Sequence, residues 1–149
     1  EIILHVGWGT FKPILSDKIS SHRMLPESYI LNESNAKIIN TALSENKRII
    51  AVGTTTVRTL ETIANISGIY DGNNLLSIKP CNGQTDIFIY PGYNFKIVKS
   101  MITNLHLPCS TPLLMASAFA GRDFILSAYK EAITYKYRFF SYGDSMFIQ

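Results

Sequence analysis

Arg48-Ile49-Ile50-Ala51-Val52 is a short apolar run that stops at Gly53 and passes straight into Thr54-Thr55-Thr56. From there Val57, Leu60, Ile63 and Ala64 recur at helical spacing as far as Gly68. A strand that turns through one glycine into an amphipathic helix must pack helix on sheet, because neither segment can bury its apolar face alone. The same alternation continues along the chain. Ile2 to Val6 is a short strand interrupted by His5, and Ser34 is placed to cap a helix with Ala36, Ile39, Ala42 and Leu43 on one stripe. The stretch Asp71 to Gly83 reads as a loop, Asp86 to Tyr90 as a strand closed by Pro91-Gly92, and Ile97 to Ile102 as another apolar piece. Ser110 or Thr111 caps a helix through Leu113, Leu114, Met115 and Ala118, a second helix runs from Asp123 to Tyr135, and Ser145 to Ile148 closes as a strand. The expected fold is a single α/β domain over residues 1–149, with a mainly parallel sheet flanked by helices.

A chain of 149 residues buries roughly 70% of its unfolded surface. With 46% hydrophobic and 17% charged residues it falls outside the disordered and fibrous classes. It lacks the roughly 20 uninterrupted apolar residues of a membrane span, so no membrane partner is expected. Cys81 and Cys109 have neither disulfide-framework nor metal-ligand spacing, which points to a reducing cytoplasm and no bound metal. The net charge of +3 is compatible with RNA or another anionic partner without demanding one. The chain starts at Glu1, carries no signal peptide and reads as a piece of a longer protein.

In open α/β sheets ligands bind beyond the carboxyl ends of the strands, where loops lead into helix N-termini. Three clusters fall there: Gly7-Trp8-Gly9-Thr10, Gly53-Thr54-Thr55, and Thr103-Asn104 with His106. Gly53 permits close backbone approach, and the free N–H groups and hydroxyls of Thr54 and Thr55 suit a carboxylate or phosphate, with Arg58 one turn on. Arg58 and Glu61 also fit an ordinary exposed i, i+3 pair. His106, between two leucines in a loop ended by Pro108, suits proton transfer or the tying-down of that loop through a carbonyl. His5 suits a structural hydrogen bond as well as a catalytic role. Gly7-x-Gly9 without a glycine-rich continuation is a weak nucleotide signal. At the C-terminal end Arg138 lies among Tyr137, Phe139 and Phe140, with Tyr142 and Asp144 following; such aromatics stack on bases or simply fill a core.

Read in order, Leu4-His5-Val6-Gly7 with Gly9-Thr10-Phe11, Ala51-Val52-Gly53-Thr54-Thr55 with Val57-Arg58 and Leu60-Glu61, and Phe88-Ile89 with Pro91-Gly92-Tyr93 resemble one family. Thr103-Asn104, His106-Leu107-Pro108, Ser110-Thr111, Ser117 to Gly121 and Tyr137 to Asp144 continue the match over essentially the whole chain. The chain resembles the S-adenosylmethionine:tRNA ribosyltransferase-isomerases of queuosine biosynthesis. It departs from their pattern at Leu25-Pro26, Lys99, Trp8 and Leu105.

The resemblance implies the C-terminal part of the large α/β domain of a two-domain enzyme, without its inserted β-barrel. The implied reaction moves the ribosyl group of S-adenosylmethionine onto 7-aminomethyl-7-deazaguanine at the wobble position of the tRNA anticodon loop. It rearranges that group to the epoxide and releases adenine and methionine, so S-adenosylmethionine is a substrate and no separate cofactor is expected. Such chemistry needs a base beside the sulfonium and an acid at the leaving adenine. His106 and Asp144 are the candidates, with His5 third. Gly53, Thr54, Thr55 and Arg58 are candidates for S-adenosylmethionine, Arg138 and Tyr142 for tRNA, and Asn104 for substrate binding. A non-catalytic tRNA-binding module is the second reading, and a methyltransferase resting on Gly7-x-Gly9 the third.

Overall fold

A computed structural model of the chain describes residues 2–7, 14 and 18–149. The Trp8-Gly9-Thr10-Phe11 part of the first glycine cluster lies outside the described residues. The elements run β1 (Ile3–Leu4), β2 (Glu27–Leu31), α1 (Glu33–Ser44), β3 (Ile50–Val52), α2 (Thr54–Ser67) and β4 (Gly68–Asp71). They continue with β5 (Asn74–Ile78), β6 (Cys81–Thr85), β7 (Ser100–Asn104), α3 (Thr111–Ala120), α4 (Arg122–Thr134) and β8 (Ser145–Ile148).

The chain is mixed α/β, as expected, but the sheet is not mainly parallel. Among the described residues the strands form a β1-β2-β6 sheet, a β3-β7-β8 sheet and a β4-β5 hairpin. Among these strands only β3 and β7 pair in parallel. That pair has α2 between its strands in sequence, the crossover a parallel pair requires, whereas β4 to β5 turns in two residues and can only be antiparallel. The hairpin occupies what reads from the sequence as a loop: Gly72, at φ 57°, supplies the left-handed position of the tight turn. Among the described strands β3 is a sheet edge, with Ala51 buried but Ile50 and Val52 exposed.

The expected strand Asp86 to Tyr90 has no ladder. Its predecessor β6 pairs with β2 through Glu27↔Thr85, and the next partner would be Pro26, which has no N–H to donate. The segment still alternates, since Ile87 and Ile89 pack on the core and Phe88 does not. Asn32, rather than Ser34, caps α1: its Oδ1 accepts from the Asn35 N–H and the Ser34 hydroxyl, both at 2.8 Å. Gly53, at φ 87°, starts α2, and Gly68 follows its end where a Cβ would stand 2.4 Å from the Ala64 carbonyl oxygen.

α2 is the centre of the molecule. All residues from Val57 to Ala64 are buried, including Arg58, Thr59, Glu61 and Thr62. Arg58 and Glu61 are therefore not an exposed surface pair. The Arg58 guanidinium is ion-paired with Glu27 of β2, whose other carboxylate oxygen accepts from the Gly7 N–H at 2.8 Å. Glu61 has no exposed surface, and its carboxylate accepts from the N–H groups of Lys96, Ile97 and Val98 and from the Tyr93 hydroxyl, at 2.9 to 3.1 Å. Burial, and then the Glu61 charge, push the Tyr93 hydroxyl pKa well above its usual value. Four donors on one buried carboxylate satisfy the demand that a buried charge be fully hydrogen-bonded. They fix the segment that feeds β7.

Replacing Glu61 by Gln sets an amide NH2 against donors and removes the charge that strengthens every bond. Glu61→Gln should lower unfolding free energy by about 2–4 kcal/mol in urea denaturation.

Candidate functional site

β3 and β7 end side by side, Val52 opposite Ile102, and the Gly53 N–H donates to the Ile102 carbonyl at 2.8 Å. Beyond those ends the start of α2 faces the loop that leaves β7. Ser110 caps α3 there, its Oγ accepting from the Leu113 N–H at 3.4 Å and donating to the Leu107 carbonyl at 2.6 Å, with Pro112 in the first turn. Between the two helix starts lies a cleft of about 310 Å³. Thr54 and Thr55 form one side, Ser110 and Pro112 another, and Asn104 and His106 the wall between; Val6, Leu107, Phe140 and Ser141 complete it.

Among the described residues that line the cleft none is a Lys, Arg, Asp or Glu, and the cleft lies between the starts of two helices, a position that favours an anion. Most of its wall surface is apolar, with Thr54, Thr55, Asn104, Ser110 and Ser141 supplying polar groups, the usual composition of a small-molecule site. His106 is held from two directions. Its backbone N–H donates to the Tyr129 hydroxyl of α4 at 2.7 Å, and its Nε2 lies 2.6 Å from the Thr103 hydroxyl. Burial lowers its pKa to about 4, so the ring is neutral near pH 7 and exchanges hydrogen bonds without carrying charge.

The segment after α4 closes on the same wall. The Phe140 N–H donates to the Leu105 carbonyl at 2.8 Å, and the Leu105 N–H to the Asp144 carbonyl at 3.3 Å. Asp144 folds back on Arg138: one carboxylate oxygen accepts from the Arg138 N–H at 2.7 Å and the other from its guanidinium at 3.0 Å. The guanidinium bond, then the backbone bond, hold the Asp144 carboxyl below the usual range. Gly143 must be glycine here, because a Cβ would stand 2.4 Å from the Arg138 carbonyl oxygen.

The structure thus brings Thr54, Thr55, Asn104 and His106 to one cleft, with Gly53 at its edge. Arg58 is not with them: it points into the core to Glu27. Asp144 and Arg138 clip the turn that presents Phe140 and Ser141, and neither lines the cleft. His5 is exposed, its backbone N–H bonded to the Ser28 carbonyl at 2.9 Å, and Tyr142 stands 97% exposed on the turn. Ser110 and Pro112 belong to the wall although the sequence marks them only as a helix start. Their position after β7 matches that of Thr54 after β3, and this parallel was the available signal. No group of three or more His, Cys, Asp or Glu among the described residues is placed to hold a metal ion. No helix among them is long and apolar enough to cross a membrane.

Because folding lowers the His106 pKa from the ordinary 6.5 to about 4, the unfolded chain takes up a proton that the folded one refuses between those values. The stability this neutral ring supports is present above pH 6.5 and is lost as pH falls towards 4. Unfolding free energy should therefore drop by about 2 kcal/mol more between pH 7 and pH 4.5 in the wild type than in His106→Gln, compared by urea denaturation.

The family profile described as "Queuosine biosynthesis protein" matches residues 1–148. Over 149 residues the chain is 54% identical to S-adenosylmethionine:tRNA ribosyltransferase-isomerase of Natranaerobius thermophilus, covering 100% of this chain and 41% of that protein. It is 56% identical over 147 residues to the protein of the same name from Caldanaerobacter subterraneus, covering 99% and 41%. A crystal structure of S-adenosylmethionine tRNA ribosyltransferase from Thermotoga maritima superposes with a TM-score of 0.73 at 45% identity, over 83% of this chain and 40% of that one. The chain spans about two fifths of the length of these relatives. With a profile match from one end of the sequence almost to the other, the chain belongs to the queuosine biosynthesis protein family.

Proposed function

We propose that the protein bearing this chain transfers and isomerises the ribosyl group of S-adenosylmethionine onto 7-aminomethyl-7-deazaguanine at the tRNA wobble position. The products are epoxyqueuosine in tRNA, adenine and methionine. The observation that carries the reading is the cleft between the starts of α2 and α3 with His106 in its wall. The methionyl carboxylate of S-adenosylmethionine suits two converging helix N-termini, and the apolar walls suit the body of the molecule.

His106 is the proton-transfer group of this proposal. With its Nε2–H given to Thr103, Nδ1 keeps a lone pair that takes the proton removed beside the sulfonium, and the imidazolium so formed gives that proton to the departing adenine. A ring neutral at pH 7 is a hydrogen-bonding partner first and a weak base second. Asp144 and Arg138 act through the shape of their turn, which sets Phe140 and Ser141 against the ligand and holds Tyr142 out towards RNA. S-adenosylmethionine is consumed as a substrate, no other cofactor enters, and a tRNA substrate places the reaction in the cytoplasm. The chain serves as α/β scaffold in an enzyme whose remaining domain, in this reading, is the β-barrel of the family.

The test is adenine release, with the tRNA nucleoside mass followed in parallel, using full-length protein, S-adenosylmethionine and tRNA carrying the aminomethyl-deazaguanine. His106→Ala should lower kcat by about 10²–10⁴-fold. Unchanged kinetics in that variant would remove His106 from the mechanism. RNA binding with neither adenine nor a mass change in the wild type would leave a binding module in place of an enzyme.

A further inference from the structure

A second pocket lies outside the cleft, at the same end of the β1-β2-β6 sheet. It measures about 290 Å³, just below the ~300–1,000 Å³ range of small-ligand sites. His22, Phe88 and Tyr90 form a row of tilted rings along it, with centroids 4.9 Å apart at 55° for the first pair and 5.0 Å apart at 40° for the second. Phe88 and Tyr90 stand two residues apart, on the face opposite the core residues Ile87 and Ile89. Asp86 heads the same face with its side chain exposed, and no described residue bonds to its carboxylate. His22 Nε2 is shut off from solvent and has no hydrogen-bond partner among the described residues.

We propose that this pocket is the seat of the acceptor base: a guanine-class ring stacks on the row while Asp86 accepts from its N1–H and 2-amino donors. Rings of this kind hold any base by stacking, so the row gives affinity. A carboxylate distinguishes bases, because guanine presents two donors on that edge and adenine presents only its amino group. The sheet register supports the placement. β1 and β6 flank β2 and both run antiparallel to it, so Val6 of the cleft and Asp86 of this pocket leave the sheet at the same end. Two strand spacings, roughly 10 Å, separate those exits. The inference rests on the proposed ribosyl transfer for the identity of the base, and it puts donor and acceptor on either side of Glu27.

The test uses full-length protein and two anticodon stem–loops, one with 7-aminomethyl-7-deazaguanine and one with adenine at the wobble position. Asp86→Asn should weaken binding of the first about tenfold and leave the second unchanged, whereas Phe88→Leu should weaken both. Thermal melting of each variant reports that it is folded; Asp86, being exposed, tolerates the change. If Asp86→Asn binds both RNAs as the wild type does, or loses affinity for S-adenosylmethionine instead, the assignment is overturned. Wild-type binding of the modified RNA with no adenine release defeats the enzymatic reading alone. Adenine release that persists unaltered in both variants defeats the pocket alone.

Discussion

Helix α2 carries two ionised side chains into the middle of the protein, and everything around the cleft is referred to them. Arg58 reaches Glu27, and through it the Gly7 N–H, which ties the first strand pair to the helix. Glu61 takes four donors from the segment 93–98 and so fixes where β7 begins. Buried charges of this kind are costly to desolvate and are strongly destabilising when one partner is removed. What they give in exchange is position: two otherwise separate sheets acquire a common reference.

That reference sets the functional geometry. β7 begins where Glu61 holds it and ends at Asn104, so the loop bearing His106 emerges beside the start of α2. Leu105, buried between these polar residues, anchors the loop and is bonded through its backbone to the turn that follows α4. The Arg138–Asp144 clip then keeps that turn in place. A cleft assembled from the ends of three elements needs each of them fixed independently, and each has its own polar fastening.

The motifs at strand ends were legible because their chemistry is local. A glycine before Thr54-Thr55 and a capping serine at Ser110 mark helix starts wherever they occur, and the structure forms helices there. Which charges turn inward was not legible. Arg58 and Glu61 sit at a spacing that also suits solvent, and their partners are 31 residues away at Glu27 and 32 to 37 residues away at Tyr93 to Val98. The stretch Asp86 to Tyr90 reads as a strand, but ladder formation there depends on Pro26 in a distant segment. The parallel sheet was expected from strand–helix alternation, which cannot report the hairpin hidden in Asp71 to Asn74 without attention to its turn.

The central claim is that the cleft between the starts of α2 and α3 receives S-adenosylmethionine. Amide chemical shifts of the full-length protein, followed while S-adenosylmethionine is titrated in, test it most directly. The largest changes are expected at Thr54, Thr55, Asn104 and His106, with Leu113 at the start of α3 also moving. Saturating shifts confined to residues away from both helix starts, such as the exposed face of α1, would contradict the claim.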